Sequence, residues 1–437
     1  MKDYPTNLKE LLTSIVKEMA ESPELFVKRP DIDFTRNRKL PFETMINILL
    51  SMGGNTIYKE LLEAQGYNSN VATTSAFVQQ RDKILDSALE FIFHEFTMSL
   101  SALKTYLGYR LLATDGSDLR FATDPNDPDT YFQPNPDKNG YNLLHLNALY
   151  DLCNRIYADA LIQPRMFANE HSALTDMVNR SRILDKVILI ADRGYECYNN
   201  FAHIESKGWN YVIRVKDVDS NGIIASLVLP KSGSFDVPVT RILTRSKAND
   251  IKAHPEMYTM LRYSSRFDFL DKENLFYTMS FRVVRFMVDD GIYETVITNL
   301  PQSEFPPSKI KILYNMRWGI EISFRHLKHT IGLVNFHARK QEYITQEIFA
   351  RLVTYNFAEM ITSNVVISQP NSDRYAHQVN FTVAALVCKR FLRLMSDVLS
   401  HEVEALIRRN TVPIRPGRTF PRNIRTQSNV SFIYRVA

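Results

Sequence analysis

Two apolar segments in the middle of the chain each end at an aspartate. YRLLATD ends at Asp115, and VILIAD ends at Asp192. Short apolar runs bounded by polar residues are typical of strands buried in a sheet, and α/β proteins place their functional sites at the carboxyl ends of such strands. We therefore predict two neighbouring buried strands, the first ending at Asp115, with two carboxylates at one edge of the sheet.

The segments around these strands predict a mixed α/β sheet. LLHLNALYDLCNRIYADALIQP contains two apolar strands joined by a turn near residues 151–155, a pattern typical of a hairpin. A helix from about His171 precedes the strand of Asp192, and a helix near 198–206 precedes a strand at 211–216. This order, antiparallel strands followed by alternating helices and strands, suits a ribonuclease H-like architecture.

The rest of the chain divides into a helical N-terminal part, a β-rich middle and a helical C-terminal part. Apolar spacing predicts helices at 7–21, from Pro41 to Gly53, from about Ile57, and at about 75–103. Residues 217–300 are rich in β-branched and aromatic residues, so we interpret them as a mainly β insertion. A long helix is predicted after Pro307, with largely helical structure to about residue 409.

The composition argues against several classes of protein. Of the 437 residues, 45% are hydrophobic and 23% are charged, which is typical of a globular chain rather than a disordered one. No apolar run approaches the roughly 20 residues that span a bilayer, and the N-terminus does not resemble a secretory signal. The three cysteines are far apart, which favours neither a disulfide framework nor a zinc site. We expect no membrane association and a reducing, cytoplasmic setting.

The charge distribution is compatible with a polyanionic partner. The net charge is +5, and the segment from Arg408 to the C-terminus contains seven arginines and no acidic residue. Three prolines in this segment favour an extended chain. It is either a solvated basic tail or an arm that follows a phosphate backbone, and the sequence alone leaves both interpretations open.

The two aspartates can be explained with or without a metal ion. A carboxylate at the edge of a buried sheet is unfavourable unless it is paired or bound to a cation, and Mg²⁺ prefers oxygen ligands. An aspartate after a strand also commonly starts a turn or caps a helix. For either aspartate alone, this second explanation is the better one.

The segment from Leu313 to Ile331 carries a third acidic residue. On an ideal helix, Tyr314, Arg317, Glu321 and Lys328 fall within an arc of about 60°. Beside this arc lies an apolar stripe that can pack on the sheet: Leu313, Ile320, Phe324, Leu327 and Ile331. Such a face suits binding of metal and phosphate together, although an ordinary amphipathic helix with an i,i+4 pair would look the same.

These residues together resemble a known family. The spacing of Tyr314, Arg317, Glu321 and Lys328 matches the Y-R-E-K signature of DDE transposases of the bacterial insertion-sequence-four type. ATDGSDLRF is similar to the first aspartate motif of that family, ADRGY to the second, and SAFVQQRDKI to its pre-catalytic helix. The resemblance covers roughly residues 70–335.

The resemblance implies a ribonuclease H-like core that holds two Mg²⁺ ions, or Mn²⁺ as a substitute, through Asp115, Asp192 and Glu321. Asp115 is preferred over Asp118 because it directly follows the predicted strand. The same resemblance implies DNA contacts by Tyr314, Arg317 and Lys328, and Arg193 is a further candidate. Trp318 could stack on a base, but an aromatic residue beside an apolar stripe more commonly packs against it, and packing is the expectation here. His326 and His329 are expected to face DNA or solvent.

The implied domain organisation follows from this assignment. Residues 1–105 would be a helical DNA-binding domain, 106–216 the first part of the catalytic core, and 217–300 the β-rich insertion. Residues 301–340 would be the helix region of the core, and 341–437 a helical region that ends in the basic tail.

The implied function is cut-and-paste DNA transposition by metal-dependent strand cleavage and strand transfer. The partners would be double-stranded DNA, as inverted-repeat element ends and target DNA, and a second copy of the chain in a homodimer on DNA. The setting would be the bacterial cytoplasm, in association with the nucleoid. Two alternatives remain open: a ribonuclease H-like nuclease that cleaves without joining, and a non-enzymatic, sequence-specific DNA-binding protein derived from a transposase.

Overall fold

The computed structural model describes residues 3–36, 38–137, 139–367, 369, 375–393 and 398–415. The helices in these ranges are α1 Tyr4–Glu21, α2 Phe42–Ser51, α3 Ile57–Ala64, α4 Thr74–Arg81, α5 Ser87–Met98, α6 Glu170–Arg180, α7 Tyr198–Ser206, α8 Asn249–Ala253, α9 Pro307–Met316, α10 Trp318–Arg325, α11 Gln341–Asn364, α12 Phe381–Leu392 and α13 Ser400–Arg409. Residues 416–437, the greater part of the predicted basic tail, lie outside the described residues.

The strands in the same ranges are β1 Arg110–Phe121, β2 Tyr131–Phe132, β3 Tyr141–Asp151, β4 Ile156–Pro164, β5 Val187–Ala191, β6 Asn210–Val215, β7 Phe235–Thr244, β8 Tyr258–Met260, β9 Phe276–Asp289, β10 Ile292–Thr298, β11 His377–Val379 and β12 Thr411–Pro413. Ten of these described strands form one sheet in the order β2-β3-β1-β5-β6-β10-β9-β7-β8, with β4 paired to β3. The predicted mixed α/β sheet is therefore confirmed.

The middle of the sheet combines antiparallel and parallel pairs. β3 pairs antiparallel with β1 and β4, whereas β1, β5 and β6 run parallel to one another. The hairpin between β3 and β4 turns at residues 152–155, as predicted, and Arg155 in this turn has a φ of 57°. Parallel neighbours need long connections, and α6 and α7 provide them.

The first aspartate strand is longer than predicted. β1 continues past Asp115 to Phe121 because β3 pairs with it from Leu112 to Phe121. The parallel pairing with β5, in contrast, ends at Thr114. The prediction that the strand ends at Asp115 is therefore wrong, but Asp115 still lies where the parallel part of the sheet ends.

The helix predicted at about 75–103 is two helices. α4 ends at Arg81, and α5 begins at Ser87. Between them, Ile84 forms a β-bridge with Val27, and the Leu85 N–H donates to the Phe26 carbonyl at 2.9 Å. These contacts with a distant part of the chain stabilise the break, although the segment contains neither proline nor glycine.

The β-rich segment after residue 216 extends the main sheet. β10 pairs antiparallel with β6, and β9 and β7 continue outward from β10. The strands predicted there are thus present, and they share hydrogen bonds with the strands of the candidate site region.

The N-terminal and C-terminal helices share one hydrophobic core. That core includes Leu12 of α1, Phe93 of α5, Phe349 of α11 and Phe391 of α12, together with residues of β1, β3 and β4. A second core packs α6 and α7 against one face of the sheet, and a third packs α9 against the other. No helix in the described part of the chain is long and apolar enough to cross a membrane.

Candidate active site

Parallel pairing places the first two predicted acidic residues side by side. Thr114 of β1 lies opposite Ala191 of β5, so the next residue on each strand, Asp115 or Asp192, lies at the same edge of the sheet. Asp115 accepts a hydrogen bond from the Gly116 N–H at 2.9 Å. Asp192 accepts one from the Gly194 N–H at 2.7 Å and caps the short 3₁₀ turn that follows. The turn-forming role considered for these aspartates is therefore real for Asp192.

The third acidic residue lies on α10, which packs on β1. Arg317, at the junction of α9 and α10, donates to Glu321 Oε1 at 2.8 Å. Asp115 interacts electrostatically with Glu321, Asp192 and Arg317. The fold thus brings the three predicted carboxylates together, with one buried guanidinium among them.

The electrostatic environment of Asp115 is unfavourable for a negative charge. Burial is the largest effect, and the charges of Asp192 and Glu321 add to it. The Gly116 N–H and the Arg317 guanidinium oppose these effects only in part, and the pKa of Asp115 is raised to about 6. A bound cation would favour the ionised form of this carboxylate.

The donor set fits a hard divalent cation, because all three groups offer carboxylate oxygens. In the described part of the chain, however, no group of three or more histidine, cysteine, aspartate or glutamate side chains is already arranged to hold a metal ion.

The helix that carries the Y-R-E-K residues is not one regular α-helix. α9 ends at Met316, α10 begins at Trp318, and a π-helical turn follows at His326–Ile331. The 100° spacing used in the prediction therefore fails beyond His326, and Lys328 lies on the π turn. The predicted apolar stripe is nevertheless buried at all five positions.

The predicted DNA-contacting residues differ in accessibility. Tyr314 and Arg317 are only 2% and 6% exposed. Lys328 donates to the backbone carbonyl of Asp118 at 2.9 Å, and burial lowers its pKa. Arg193 is exposed, directly after Asp192.

Two minor expectations for this helix are wrong. Trp318 is 53% exposed instead of packed, with the Arg317 guanidinium 5.3 Å from the centre of its ring. His326 stacks on Phe381 with ring centres 4.7 Å apart, so it packs against α12 rather than facing DNA or solvent. His329 is exposed, as expected.

Sequence reasoning missed a group of charged residues beside the acidic site. His145 on β3 contacts Asp118 through Nδ1 at 2.7 Å and Glu170 on α6 through Nε2 at 3.2 Å. Burial lowers the pKa of His145, but the hydrogen bond with Asp118 and the close approach and charges of both carboxylates outweigh burial and raise it to about 9. His145 is therefore an imidazolium at neutral pH. It lies in an apolar strand, and no local spacing links it to its partners.

The segment that resembles the pre-catalytic helix has a structural role here. Arg81 is buried and donates to Gln346 and Glu347 of α11, each at 2.9 Å. Burial raises the pKa of Glu347, but the charge of Arg81 and contacts with His337 and Arg351 lower it well below its ordinary value. This ion pair connects the N-terminal helices to α11.

Comparison with known proteins agrees with the resemblance drawn from these residues. The model of the transposase DDE domain family matches residues 106–357, which is more than half of the chain. The chain therefore belongs to the transposase DDE domain family.

Two known transposases are among the proteins that are similar to this chain. The transposase InsG for insertion sequence element IS4, from Escherichia coli (strain K12), is 23% identical over 130 residues, which are 28% of this chain and 29% of that protein. The chain thus matches less than a third of the length of this relative. A cryo-EM structure of the piggyBac transposase synaptic complex with hairpin DNA aligns with a TM-score of 0.43 and 10% identity. That alignment covers 95% of this chain and 87% of the other.

Proposed function

We propose that this chain is a DNA transposase that binds the ends of a mobile element and performs metal-dependent strand cleavage and strand transfer. The observation that carries the proposal is the acidic site, which lies within the residues matched by the family model. The three carboxylates come from segments far apart in the sequence: Asp115 on β1, Asp192 after β5 and Glu321 on α10. The positive charge of Arg317 offsets their negative charges only in part, and the pKa of Asp115 is raised.

The sheet supports a ribonuclease H-like core. Its central strands lie in the order β4-β3-β1-β5-β6, with β3 antiparallel to both β4 and β1 and with β1, β5 and β6 parallel. These pairings agree with the order of elements along the chain, antiparallel strands followed by alternating helices and strands, that suggested this architecture. α6 precedes β5, and α7 lies between β5 and β6. Asp115 and Asp192 lie at the carboxyl ends of the parallel part of β1 and of β5.

The proposed cofactor is a pair of Mg²⁺ ions, with Mn²⁺ as a substitute, held by Asp115, Asp192 and Glu321. When bound, two such ions supply activation of an attacking oxygen and stabilisation of a leaving oxygen in an in-line displacement. Phosphoryl transfer otherwise needs mainly positioning and charge stabilisation from the protein, so no serine, cysteine or histidine nucleophile is required.

The chain's own residues would orient the DNA end. Arg317 hydrogen bonds to Glu321 and is held close to the acidic site, where a guanidinium can approach a phosphate oxygen. Tyr314 lies one helical turn before Arg317, and Lys328 lies beyond Glu321 on the π turn. The exposed Arg193 adds a positive charge next to Asp192. We assign these four residues to the DNA end near the scissile phosphate.

The proposed partners are element-end DNA, target DNA and a second copy of the chain on the DNA. The helical residues 1–105 are the proposed end-binding part. The shared core with α11 and α12 would hold this part rigidly against the catalytic sheet.

The test is cleavage and joining of DNA that carries the sequences flanking the gene for this chain. The purified protein is incubated with this DNA and Mg²⁺, Mn²⁺ or a chelator, and the products are resolved as nicks, hairpins and strand-transfer joints. Glu321→Gln retains the shape of the side chain but loses its charge, so it should abolish all metal-dependent products. Glu304→Gln is the matched control, because Glu304 is exposed before α9 and should leave the products unchanged.

The products also separate the alternatives. Strand-transfer joints that require metal and Glu321 would exclude a nuclease that only cleaves. Binding of end DNA with no metal-dependent product would overturn the proposal in favour of a non-enzymatic DNA-binding protein.

A further inference from the structure

His145 and Glu170 form an ion pair next to the two aspartates but contribute to neither predicted motif. His145 Nε2 lies 3.2 Å from Glu170 Oε1, and the other ring nitrogen contacts Asp118. The pair thus connects β3, β1 and α6. The side chain of His145 is only 10% exposed, whereas that of Glu170 is 40% exposed.

The imidazole of His145 packs directly on the residue that follows Asp115. A Cβ atom added to Gly116 would lie 2.4 Å from His145 Nε2 and 2.7 Å from Glu170 Oε1. Real Cβ atoms do not approach other atoms so closely, so only glycine allows the pair to occupy this place. The Gly116 N–H is also the group that donates to the Asp115 carboxylate.

The second carboxylate oxygen of Glu170 lies near Gly194, whose N–H donates to Asp192. A Cβ atom added to Gly194 would lie 3.6 Å from Glu170 Oε2 and 3.0 Å from Asp192 Oδ1. The Gly194 N–H donates to that aspartate. The side chains of this ion pair therefore lie beside both glycines whose N–H groups donate to the first two carboxylates.

The ion pair is also connected to the π turn that follows the helix carrying Glu321. Lys328, on the π turn after α10, donates to the Asp118 carbonyl, and Asp118 is the second carboxylate on His145. A continuous set of contacts thus runs from α6 through β3 and β1 to the segment that carries Glu321.

We propose that His145 and Glu170 are positioning residues, which fix Gly116 and Gly194 so that Asp115 and Asp192 can share a divalent cation. This inference rests on the proposed function. Residues that orient metal ligands from behind typically change metal affinity by about 10–100-fold when they are substituted, which sets the expected size of the effect.

The test measures binding of Mn²⁺ to the full chain by titration calorimetry, without DNA. His145→Gln removes the charge but keeps hydrogen-bonding atoms, and it should weaken Mn²⁺ binding about 10-fold or more. Glu170→Gln should have an effect of similar size. The double variant should bind Mn²⁺ at most about twofold more weakly than the weaker-binding single variant, because both changes break the same pair. Gly116→Ala should reproduce the loss by displacing the imidazole.

His203→Gln is the matched control. His203 is also a histidine paired with a carboxylate, through Nε2 to Asp268 at 2.9 Å, and its side chain is 13% exposed. His203 lies on α7 and also contacts Asn179 on α6 and Phe269 in the β-rich segment. Neither glycine is among these partners, so Mn²⁺ binding should match the wild type. Should His145→Gln fail to fold, Glu170→Gln provides the same comparison with His145 in place.

A second readout separates positioning from general destabilisation. In the cleavage assay, the Mg²⁺ concentration for half-maximal rate should rise about 10-fold in His145→Gln. The rate at saturating Mg²⁺ should return to within about threefold of the wild type. A lower rate at every Mg²⁺ concentration, with unchanged half-saturation, would overturn the inference.

The outcomes also distinguish this inference from the proposed function. If Asp115→Asn loses Mn²⁺ binding while His145→Gln and Glu170→Gln retain it, only the positioning role is overturned. If the wild type itself binds no Mn²⁺ and gives no metal-dependent product, the proposed function fails, and the inference fails with it.

Discussion

Neutralising Asp115 should make the metal-free protein more stable at alkaline pH. The pKa of this carboxyl is raised from 3.8 to about 6, first by burial and then by the charges of Asp192 and Glu321. A shift of about two units corresponds to about 3 kcal/mol, since each unit is worth about 1.4 kcal/mol. The ionised side chain therefore opposes folding, and Asp115→Asn should increase the free energy of unfolding by up to about 3 kcal/mol at pH 8.

The pH dependence gives the sign of the effect. A carboxyl whose pKa is raised by folding binds its proton more tightly in the folded state, so the native protein loses stability as pH rises from about 4 to about 6. Below pH 4 the side chain is protonated in both states, and the wild type and Asp115→Asn should have equal stability. Above pH 6 the full difference should be present.

The assay is urea denaturation in a chelator at pH 4 and pH 8, with the free energy of unfolding extrapolated to water. Asp118→Asn, three residues further along β1, is the control with the opposite sign. Burial raises the pKa of Asp118, but the hydrogen bond and charge of His145 outweigh it, and the pKa is lowered. The control variant should therefore lose stability at pH 8. Equal stability of Asp115→Asn and the wild type at pH 8 would refute the reasoning.

Three further predictions concern the framework and the DNA contacts. Arg81→Ala should lower the free energy of unfolding in urea by about 3–5 kcal/mol, because it leaves the buried Glu347 with one fewer cation; a loss below about 1 kcal/mol would mean that Arg351 and His337 suffice. Lys328→Ala should reduce the salt slope of end-DNA binding by about one between about 50 and 200 mM salt, as measured by fluorescence anisotropy, and an unchanged slope would remove Lys328 from the DNA contacts. Truncation after Arg415, which spares β12, should weaken binding to element ends and unrelated DNA equally, whereas unaltered affinity would make residues 416–437 only a solubilising tail.

The sequence predicted where the first two acidic residues lie because their strands have a strong local signal. Ile188 and Ile190 pack toward one face of β5, and Leu189 packs toward the other, so this strand is apolar on both faces. Continuous apolar runs of this kind are what a parallel sheet covered on both faces requires. The aspartate at the end of such a run is then visible from the sequence alone.

The length of β1 could not be predicted from the same kind of signal. The residues after Asp115 begin with Gly116, Ser117 and Asp118, a composition that favours a turn. They stay extended because β3 supplies a partner at each position up to Phe121. Strand preference depends strongly on the neighbouring strand, and that neighbour is about 30 residues away along the chain.

The break between α4 and α5 has a similar origin. Lys83, Ile84 and Leu85 carry no helix-breaking residue, and the apolar spacing continues through them. The segment leaves the helix because its backbone pairs with residues 26–28, including the Lys28 N–H bond to the Lys83 carbonyl at 2.8 Å. Local spacing does not reveal such a contact.

The ion pair beside the acidic site was missed for a different reason. His145 lies in β3, a strand in which ten of eleven residues are buried, and a lone histidine there is not distinguished from a packing residue by local pattern. Its significance depends on Glu170, which begins a helix 25 residues later, and on Gly116, beside which both side chains of the pair lie. Only the assembled fold shows that these residues meet.

The burial that makes the ionised form of Asp115 unfavourable also favours the binding of a cation. A bound cation would favour the ionised form of Asp115 and so offset the cost of about 3 kcal/mol that the raised pKa of this carboxyl implies. The acidic residues can stay in this unstable arrangement because the three hydrophobic cores around the sheet hold their backbones in place. Mg²⁺ should therefore stabilise the wild type at pH 8 by more than it stabilises Asp115→Asn. The stability of the fold and the affinity of the site for metal are thus linked through one carboxylate.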